Sequence, residues 1–147
     1  MSRTNRAEVV FDAISENEAF ARIFVAGFIM PLDPTLEEVN EIKTIVSEAV
    51  TNSIVHGYED SFGQIKLRVE YVGNKVTVKI RDYGKGIPNT EKAKEIFFTT
   101  KPDEERSGMG LTIMEAFADG FTISSSLGKG TEIKVVKKIR EKEIKSA

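Results

Sequence analysis

The most constraining feature of this sequence is a pair of alternating segments separated by two residues. Residues 64–72 carry apolar side chains at every second position, and residues 75–80 repeat that alternation. Gly73 and Asn74 stand between them, a pair typical of a tight β-hairpin turn. The pattern therefore predicts two paired strands, each with one buried face and one solvated face.

Asp82 follows the second of these segments. Continuing the alternation places its side chain on the same face as Val78 and Ile80. A carboxylate on an apolar face is costly unless something hydrogen-bonds to it. Gly84 and Gly86 come next and allow a tight turn or a close approach to a ligand. Taken alone, this motif favours an ordinary strand-to-loop turn.

Apolar residues recur at helical spacing in two long segments of the first half of the chain. The first follows Ser15 and Glu18, whose spacing predicts a capping box. The second follows Thr35 and Glu38, which form the same motif, and we expect it to stop at Gly57. The remaining patterns predict strands over residues 7–14, 121–127 and 131–139, and helices over residues 89–97 and 111–118.

Within the second helix, Glu48, Asn52 and His56 recur at intervals of four residues, so we expect one polar stripe beside the buried face. A carboxylate and a carboxamide on one face suit a metal ion and a nucleophile, although many solvated helices carry such pairs. His56 is interpreted equally well as a polar helix-end residue or as a site residue.

The bulk composition limits the class of protein. With 147 residues, 40% apolar and 30% charged, the sequence fits one domain, 1–147, with an ordered core over about 7–139 and a charged tail over 140–147. A net charge of -2 gives no overall excess of positive charge for binding nucleic acid. The absence of cysteine excludes thiolate metal sites. No apolar run approaches membrane-spanning length, so we expect a cytoplasmic protein without membrane attachment.

Four segments, in this order, resemble the sequence boxes of the GHKL ATP-binding family, which includes gyrase and the histidine kinases. Glu48–Asn52 resembles the N box, Asp82–Gly86 the G1 box, Arg106–Gly110 the G2 box and Gly130–Thr131 the last box. The resemblance covers about residues 7–139. It implies the Bergerat fold, an α+β two-layer sandwich with helices packed on one face of a mixed, mainly antiparallel sheet.

Further runs look like one branch of this family, the bacterial anti-sigma factor serine kinases. They are Val46–Asn52, His56–Tyr58 and Phe98–Pro102. The run from Arg106 through Glu115 is most similar to the sporulation members of that branch.

The resemblance implies a catalytic role for two residues. Glu48 would deprotonate the attacking hydroxyl, and Arg106 would stabilise charge on the γ-phosphoryl group. It also implies that Asn52 binds Mg²⁺ through a neutral oxygen. The nucleotide-binding positions that it implies are Asn52, Asp82, Gly84, Gly86, Thr99, Thr100, Lys101, Ser107, Gly108, Met109, Gly110 and Thr131. Asp82 and Thr131 would contact adenine, while backbone N–H groups of Ser107–Gly110 would face the phosphates.

The implied function is that of an anti-sigma factor that inhibits a sporulation sigma factor of the sigma F type. With ATP and Mg²⁺ as cofactors and ADP as product, it would phosphorylate and inactivate an anti-anti-sigma partner on serine. The resemblance makes Arg22 a docking position for both partners, whereas the residue pattern alone favours a solvated helix rim. It also implies a homodimer, with Phe20, Phe24 and Phe28 of the first helix in the dimer face or in the core.

Two alternatives stay open at this point. One is a non-catalytic module in which ATP shapes a sigma-binding surface, and the other is the stress-response branch of the same kinases. Glu48 favours a kinase over the non-catalytic module, because a purely structural nucleotide site needs no base beside the γ-phosphate.

Overall fold

A five-stranded antiparallel sheet forms one layer of the structure, a computed structural model that describes residues 3–59, 61–86 and 107–140. The strands are β1 (Thr4–Asp12), β2 (Gln64–Val72), β3 (Lys75–Asp82), β4 (Gly120–Ser126) and β5 (Gly130–Lys138). The helices are α1 (Glu16–Ile29), α2 (Leu36–Asn52) and α3 (Ser107–Phe117), with a short 3₁₀ turn at Met30–Leu32 and a π-helical turn at Ser53–Gly57.

The sheet order is β1-β2-β3-β5-β4, and all of these neighbours pair antiparallel. The predicted hairpin is confirmed: Val72 pairs with Lys75 across the turn, and Gly73 takes the positive φ of 61° that glycine adopts without strain. The observed α+β architecture agrees with the expected fold.

Helices cover one face of the sheet, and the core lies between the two layers. The alternation of β2 buries every second residue, because those side chains all point toward the helices. Fully burying one large aliphatic side chain contributes about 1.5–3 kcal/mol. The largest fully buried side chains are Val25, Ile29, Ile42, Ile45, Val46, Val50, Ile65, Leu67, Ile80, Met114 and Ile139.

The two predicted capping boxes have different outcomes. At α2 the motif is confirmed: the Glu38 N–H donates to the Thr35 hydroxyl at 3.1 Å, and the Thr35 N–H donates to the Glu38 carboxylate at 2.9 Å. At α1 the prediction is wrong, because Ser15 has helical φ and ψ angles of -59° and -30° and makes no side-chain cap bond. Its hydroxyl bonds Glu16 instead, while Glu18 accepts a hydrogen bond from Ser47.

Several predicted boundaries shift in the structure. The first strand is Thr4–Asp12 instead of 7–14, and the last helix begins four residues before the expected 111. Arg140, expected in the charged tail, contacts the fold, because its N–H donates to Glu38 Oε2 at 2.8 Å. The predicted helix over 89–97 and residues 141–147 lie outside the described residues. Among the helices described, none is long and apolar enough to cross a membrane.

Candidate functional site

Asp82, at the end of β3, is the central polar residue of the candidate site. As the alternation predicts, it lies on the helix-facing side of the sheet and is 3% exposed. Its Oδ1 accepts hydrogen bonds from the backbone N–H of Gly84 at 3.0 Å and of Thr131 at 3.3 Å. Ser53 also hydrogen-bonds the carboxyl group. These donors orient the buried carboxyl group and offset part of its desolvation cost.

The charge of Asp82 is nevertheless disfavoured. Burial raises the pKa of its carboxyl group above the ordinary value, against the lowering effect of the hydrogen bonds from Gly84, Ser53 and Thr131 and of the Arg81 charge. A group held at such a cost to the fold is a candidate for ligand binding. A donor from a ligand, such as an exocyclic amine, would stabilise the ionised form.

Thr131 lies directly opposite Asp82 in the pairing of β3 with β5. It is buried, and its hydroxyl is 2.8 Å from the hydroxyl of Ser125 on β4. The sheet register therefore brings together two residues that are 49 positions apart in sequence. That both residues contact one base stays a prediction.

The π-helical turn packs against this carboxyl group. A Cβ atom at Gly57 would lie 2.8 Å from the Asp82 carboxylate, so a larger residue there would displace it. A Cβ at Gly84 would lie 2.0 Å from the carbonyl oxygen of Gly57, which accepts the Lys85 N–H at 3.0 Å. Gly84 thus allows two backbone segments to meet. Its predicted contact with a nucleotide stays a prediction.

α2 ends in this same turn. The Tyr58 N–H donates to the Ser53 carbonyl at 2.9 Å. This hydrogen bond joins residues five positions apart, whereas α-helical hydrogen bonds join residues four positions apart. Gly57 ends the turn without the positive φ of a glycine cap. The wider turn begins after the Ser53 N–H, which still bonds the Ala49 carbonyl, so it shifts the residues that follow, including Gly57 beside Asp82.

Glu48 and Asn52 are buried, whereas the sequence predicted that they would lie beside the buried face. They are 8% and 4% exposed, and His56 is 5% exposed. The Nδ2 atom of Asn52 has no hydrogen-bond partner among the described residues. A buried amide with an unused hydrogen-bonding atom suits a bound ligand, because leaving that atom unpaired costs about 1–3 kcal/mol.

Glu48 also borders an open cleft of about 600 Å³ between α1 and α2. The cleft is lined by Glu18, Arg22, Asn40, Lys43, Thr44, Ser47 and Glu48. Arg22 Nε lies 3.9 Å from Glu18 Oε1, and the Ser47 hydroxyl donates a hydrogen bond to the Glu18 carboxylate. Arg22 and Glu48, predicted from different motifs, thus face the same space. Glu18 therefore contacts both walls of the cleft, through Arg22 on α1 and Ser47 on α2.

The predicted phosphate cradle, Ser107–Gly110, forms the first turn of α3. The first backbone N–H groups of a helix have no partner within it and attract anions. The side chains of residues 107–111 lie outside what the structure describes, as do Thr99, Thr100, Lys101 and Arg106 entirely. Their roles stay predictions.

The described residues contain no group of three histidine, aspartate or glutamate side chains able to hold a metal ion. Asn52 can therefore bind the implied Mg²⁺ only as a single protein ligand. Mg²⁺ commonly keeps several waters and binds through one or two protein groups together with substrate phosphates. A bound nucleotide would have to supply the other ligands.

Comparisons of the sequence with known families and with known proteins agree on one family. Residues 16–137 match the family described as "Histidine kinase-like ATPase domain". The chain is 54% identical over 134 residues to the anti-sigma F factor of Bacillus licheniformis, covering 90% of this chain and 92% of that one. It is 53% identical over 134 residues to the Anoxybacillus flavithermus protein of the same name, with the same coverage.

A solved structure supports the fold independently. The crystal structure of the RsbU and RsbW domains of a Mycobacterium tuberculosis protein matches with a TM-score of 0.67 at 18% identity. The match covers 92% of this chain and 32% of that longer chain. At this identity the likeness concerns the fold alone.

Proposed function

Because the chain belongs to the anti-sigma F factors among the histidine kinase-like ATPase domains, we propose that it binds and inhibits a sigma factor and phosphorylates an anti-anti-sigma protein on serine. The sigma factor is proposed to be of the sporulation type, sigma F, and the protein to act in the cytoplasm as a homodimer. ATP is the phosphoryl donor.

The observation that carries the kinase proposal is the cleft shared by Arg22 and Glu48. A partner docked on Arg22 at the α1 side can extend a loop toward Glu48 on α2 without crossing the fold. Binding energy gained at Arg22 then positions the serine, so that a two-molecule encounter becomes a local reaction.

Specificity for adenine is proposed to come from Asp82. Its ionised carboxyl group accepts a hydrogen bond from the amino group of adenine, which offsets the burial that raises its pKa. Guanine presents a carbonyl oxygen at the same position, so two acceptors would face one another. Thr131 completes the contact from the neighbouring strand.

In the proposed reaction Glu48 accepts the proton of the partner's serine hydroxyl. The serine oxygen then forms a bond to the γ-phosphorus, the bond between that phosphorus and the β,γ-bridging oxygen breaks, and ADP leaves. The N-terminal turn of α3 and Arg106 stabilise the phosphate charge. Bound Mg²⁺, held by Asn52 and the phosphates, would neutralise charge on the triphosphate.

The homodimer proposal is supported by apolar residues on β1 and α1. Val10, Phe20 and Ile23 are 53%, 44% and 66% exposed, more than a buried core would allow. Phe28 packs instead on Tyr71 with ring centroids 5.3 Å apart, and Phe24 is also partly buried against the core. Only part of the predicted aromatic face is therefore available to a second copy.

A direct test incubates the protein with γ-labelled ATP, an anti-anti-sigma protein and the sigma factor. We expect label on a serine of the anti-anti-sigma protein, and the sigma factor stays bound once that partner is fully phosphorylated. Arg22→Glu should reduce both sigma binding and labelling, whereas Lys79→Glu, a charge reversal on the opposite sheet face, should change neither. Sigma binding without any labelling would leave an ATP-gated binding module and refute the kinase.

A further inference from the structure

A buried lysine on β5 has no role in the site described above. Lys137 continues the core-facing alternation of Ile133 and Val135, and it is only 9% exposed. An ammonium group at a core-facing position costs free energy unless it is paired and hydrogen-bonded. Its partners therefore indicate what it does.

The first partner is the end of α3. The Lys137 Nζ donates to the carbonyl oxygen of Phe117, the last residue of α3, at 2.9 Å. The final carbonyl groups of a helix have no partner within the helix and carry partial negative charge. α3 has no basic residue in its own last turn, so Lys137 supplies that cation from the sheet.

The second partner is on α2. Lys137 Nζ lies 3.6 Å from Glu41 Oε1, in a pair whose side chains are 11% and 25% exposed. Glu41 precedes Glu48 by seven residues, two turns of the same helix. One ammonium group thus links the C-terminus of α3 to the helix that carries the proposed base.

Hydrogen bonds of Asp119, two residues after the end of α3, reinforce this link. The Asp119 N–H donates to the Val136 carbonyl at 2.8 Å, and the Asp119 carboxylate accepts the Lys138 N–H at 2.6 Å. The C-terminal end of α3 is therefore fixed to β5 and α2.

The N-terminal end of α3 is the part proposed to bind phosphate. With 11 residues, α3 is about 16 Å long at about 1.5 Å per residue. A tilt of about 5° at the anchored end would move the first turn by roughly 1.4 Å, and a misplacement of about 1 Å can cost roughly 100-fold in rate.

We propose that Lys137 is a positioning residue for phosphoryl transfer. By holding the C-terminus of α3 against Glu41, it fixes the tilt of α3 and hence the distance from the phosphate-binding turn to Glu48. This inference rests on the proposed kinase function.

The test compares the full-length wild type with Lys137→Met, Lys137→Arg and Glu41→Gln. Lys134→Met is the matched control, because it removes the same charge from the exposed face of the same strand. For each variant, kcat and KM for ATP in serine phosphorylation are measured with the melting temperature. We expect Lys137→Met to lower kcat by about 10- to 100-fold with KM for ATP within about threefold. Arginine should restore most of the rate, Glu41→Gln should give a smaller loss, and the control should match the wild type.

An unchanged kcat in Lys137→Met would overturn the proposal. So would a proportional fall of kcat, ATP affinity and melting temperature that arginine does not restore, because that pattern is general destabilisation. Hydrogen exchange of the α3 amides gives a readout independent of phosphoryl transfer. If the wild type proves not to be a kinase, the proposed function fails, while faster exchange confined to α3 in Lys137→Met still supports the anchor and unchanged exchange overturns it.

Discussion

The Asp82→Asn variant tests two effects of the Asp82 charge separately: its contribution to ATP affinity and its cost to the stability of the fold. Asparagine keeps the shape of aspartate, and its oxygen can accept the same N–H groups of Gly84 and Thr131. Those donors orient the amide, so its NH₂ group takes the place of the second carboxylate oxygen. That NH₂ group would face the amino group of adenine, and two donors would meet. Losing a hydrogen bond to a charged acceptor costs about 1.5–3 kcal/mol, so the Kd for ATP should rise about 10- to 150-fold.

The same variant should be more stable without nucleotide. Burial raises the pKa of Asp82, so the folded state holds its proton to higher pH than the unfolded chain. Stability contributed by that proton is present below the ordinary pKa, near 3.9, and is lost as pH rises through the raised folded value. Asparagine has no charge to desolvate, and its melting temperature at pH 7 should exceed that of the wild type by a few degrees.

Calorimetric titration with ATP and with GTP, together with thermal unfolding, checks both statements. Asp12→Asn is the matched control, because Asp12 is exposed on β1. Discrimination against GTP should also shrink in Asp82→Asn, since the new NH₂ group can donate to the guanine carbonyl. An ATP affinity within threefold of the wild type would refute the assignment of Asp82 to adenine. A lower melting temperature would refute the argument about burial.

Three further predictions concern the fold around the site. Thr35→Ala removes a confirmed cap of α2 and should lower the free energy of unfolding by about 1 kcal/mol in chemical denaturation, more than Glu37→Ala in the same turn. Gly84→Ala forces a methyl group to within 2.0 Å of the Gly57 carbonyl oxygen, so it should cost about 1–3 kcal/mol or more, and an unchanged denaturation midpoint would contradict that contact. For Glu38, burial raises the pKa, but hydrogen bonds from Arg140 and Thr35 and the charge of Lys137 outweigh it and hold the pKa below its ordinary value. The stability advantage of the wild type over Glu38→Gln should therefore be complete above the ordinary pKa, near 4.3, and should vanish as pH falls through the lowered value.

The predictable part of this molecule is the part governed by simple periodicity. Alternation with the Gly73-Asn74 turn predicted the hairpin, and alternation alone predicted the buried side of Asp82, because a strand has only two faces. Capping motifs were less reliable. Thr35 and Ser15 both stand three residues before a glutamate, but Ser15 has helical dihedral angles that do not suit a cap, and Glu18 accepts a hydrogen bond from Ser47 on α2.

Tertiary contacts explain what the sequence pattern missed. Nothing in the spacing from Glu48 to His56 indicates the π-helical turn, whose last residue, Gly57, packs against the Asp82 carboxylate. The sequence pattern also does not indicate that Gly84 meets Gly57, a residue 27 positions away. The cleft that joins Arg22 to Glu48 depends on how α1 packs on α2, and no local pattern encodes that packing.

The central claim is that Glu48 acts as the base of a serine kinase. The most direct test is Glu48→Gln, with phosphorylation of the anti-anti-sigma protein, ATP binding and sigma binding measured on one preparation. Removing a general base reduces such a rate about 10²- to 10⁴-fold. We predict a loss of that size with ATP and sigma affinities unchanged. Phosphorylation at the wild-type rate in Glu48→Gln would contradict the account.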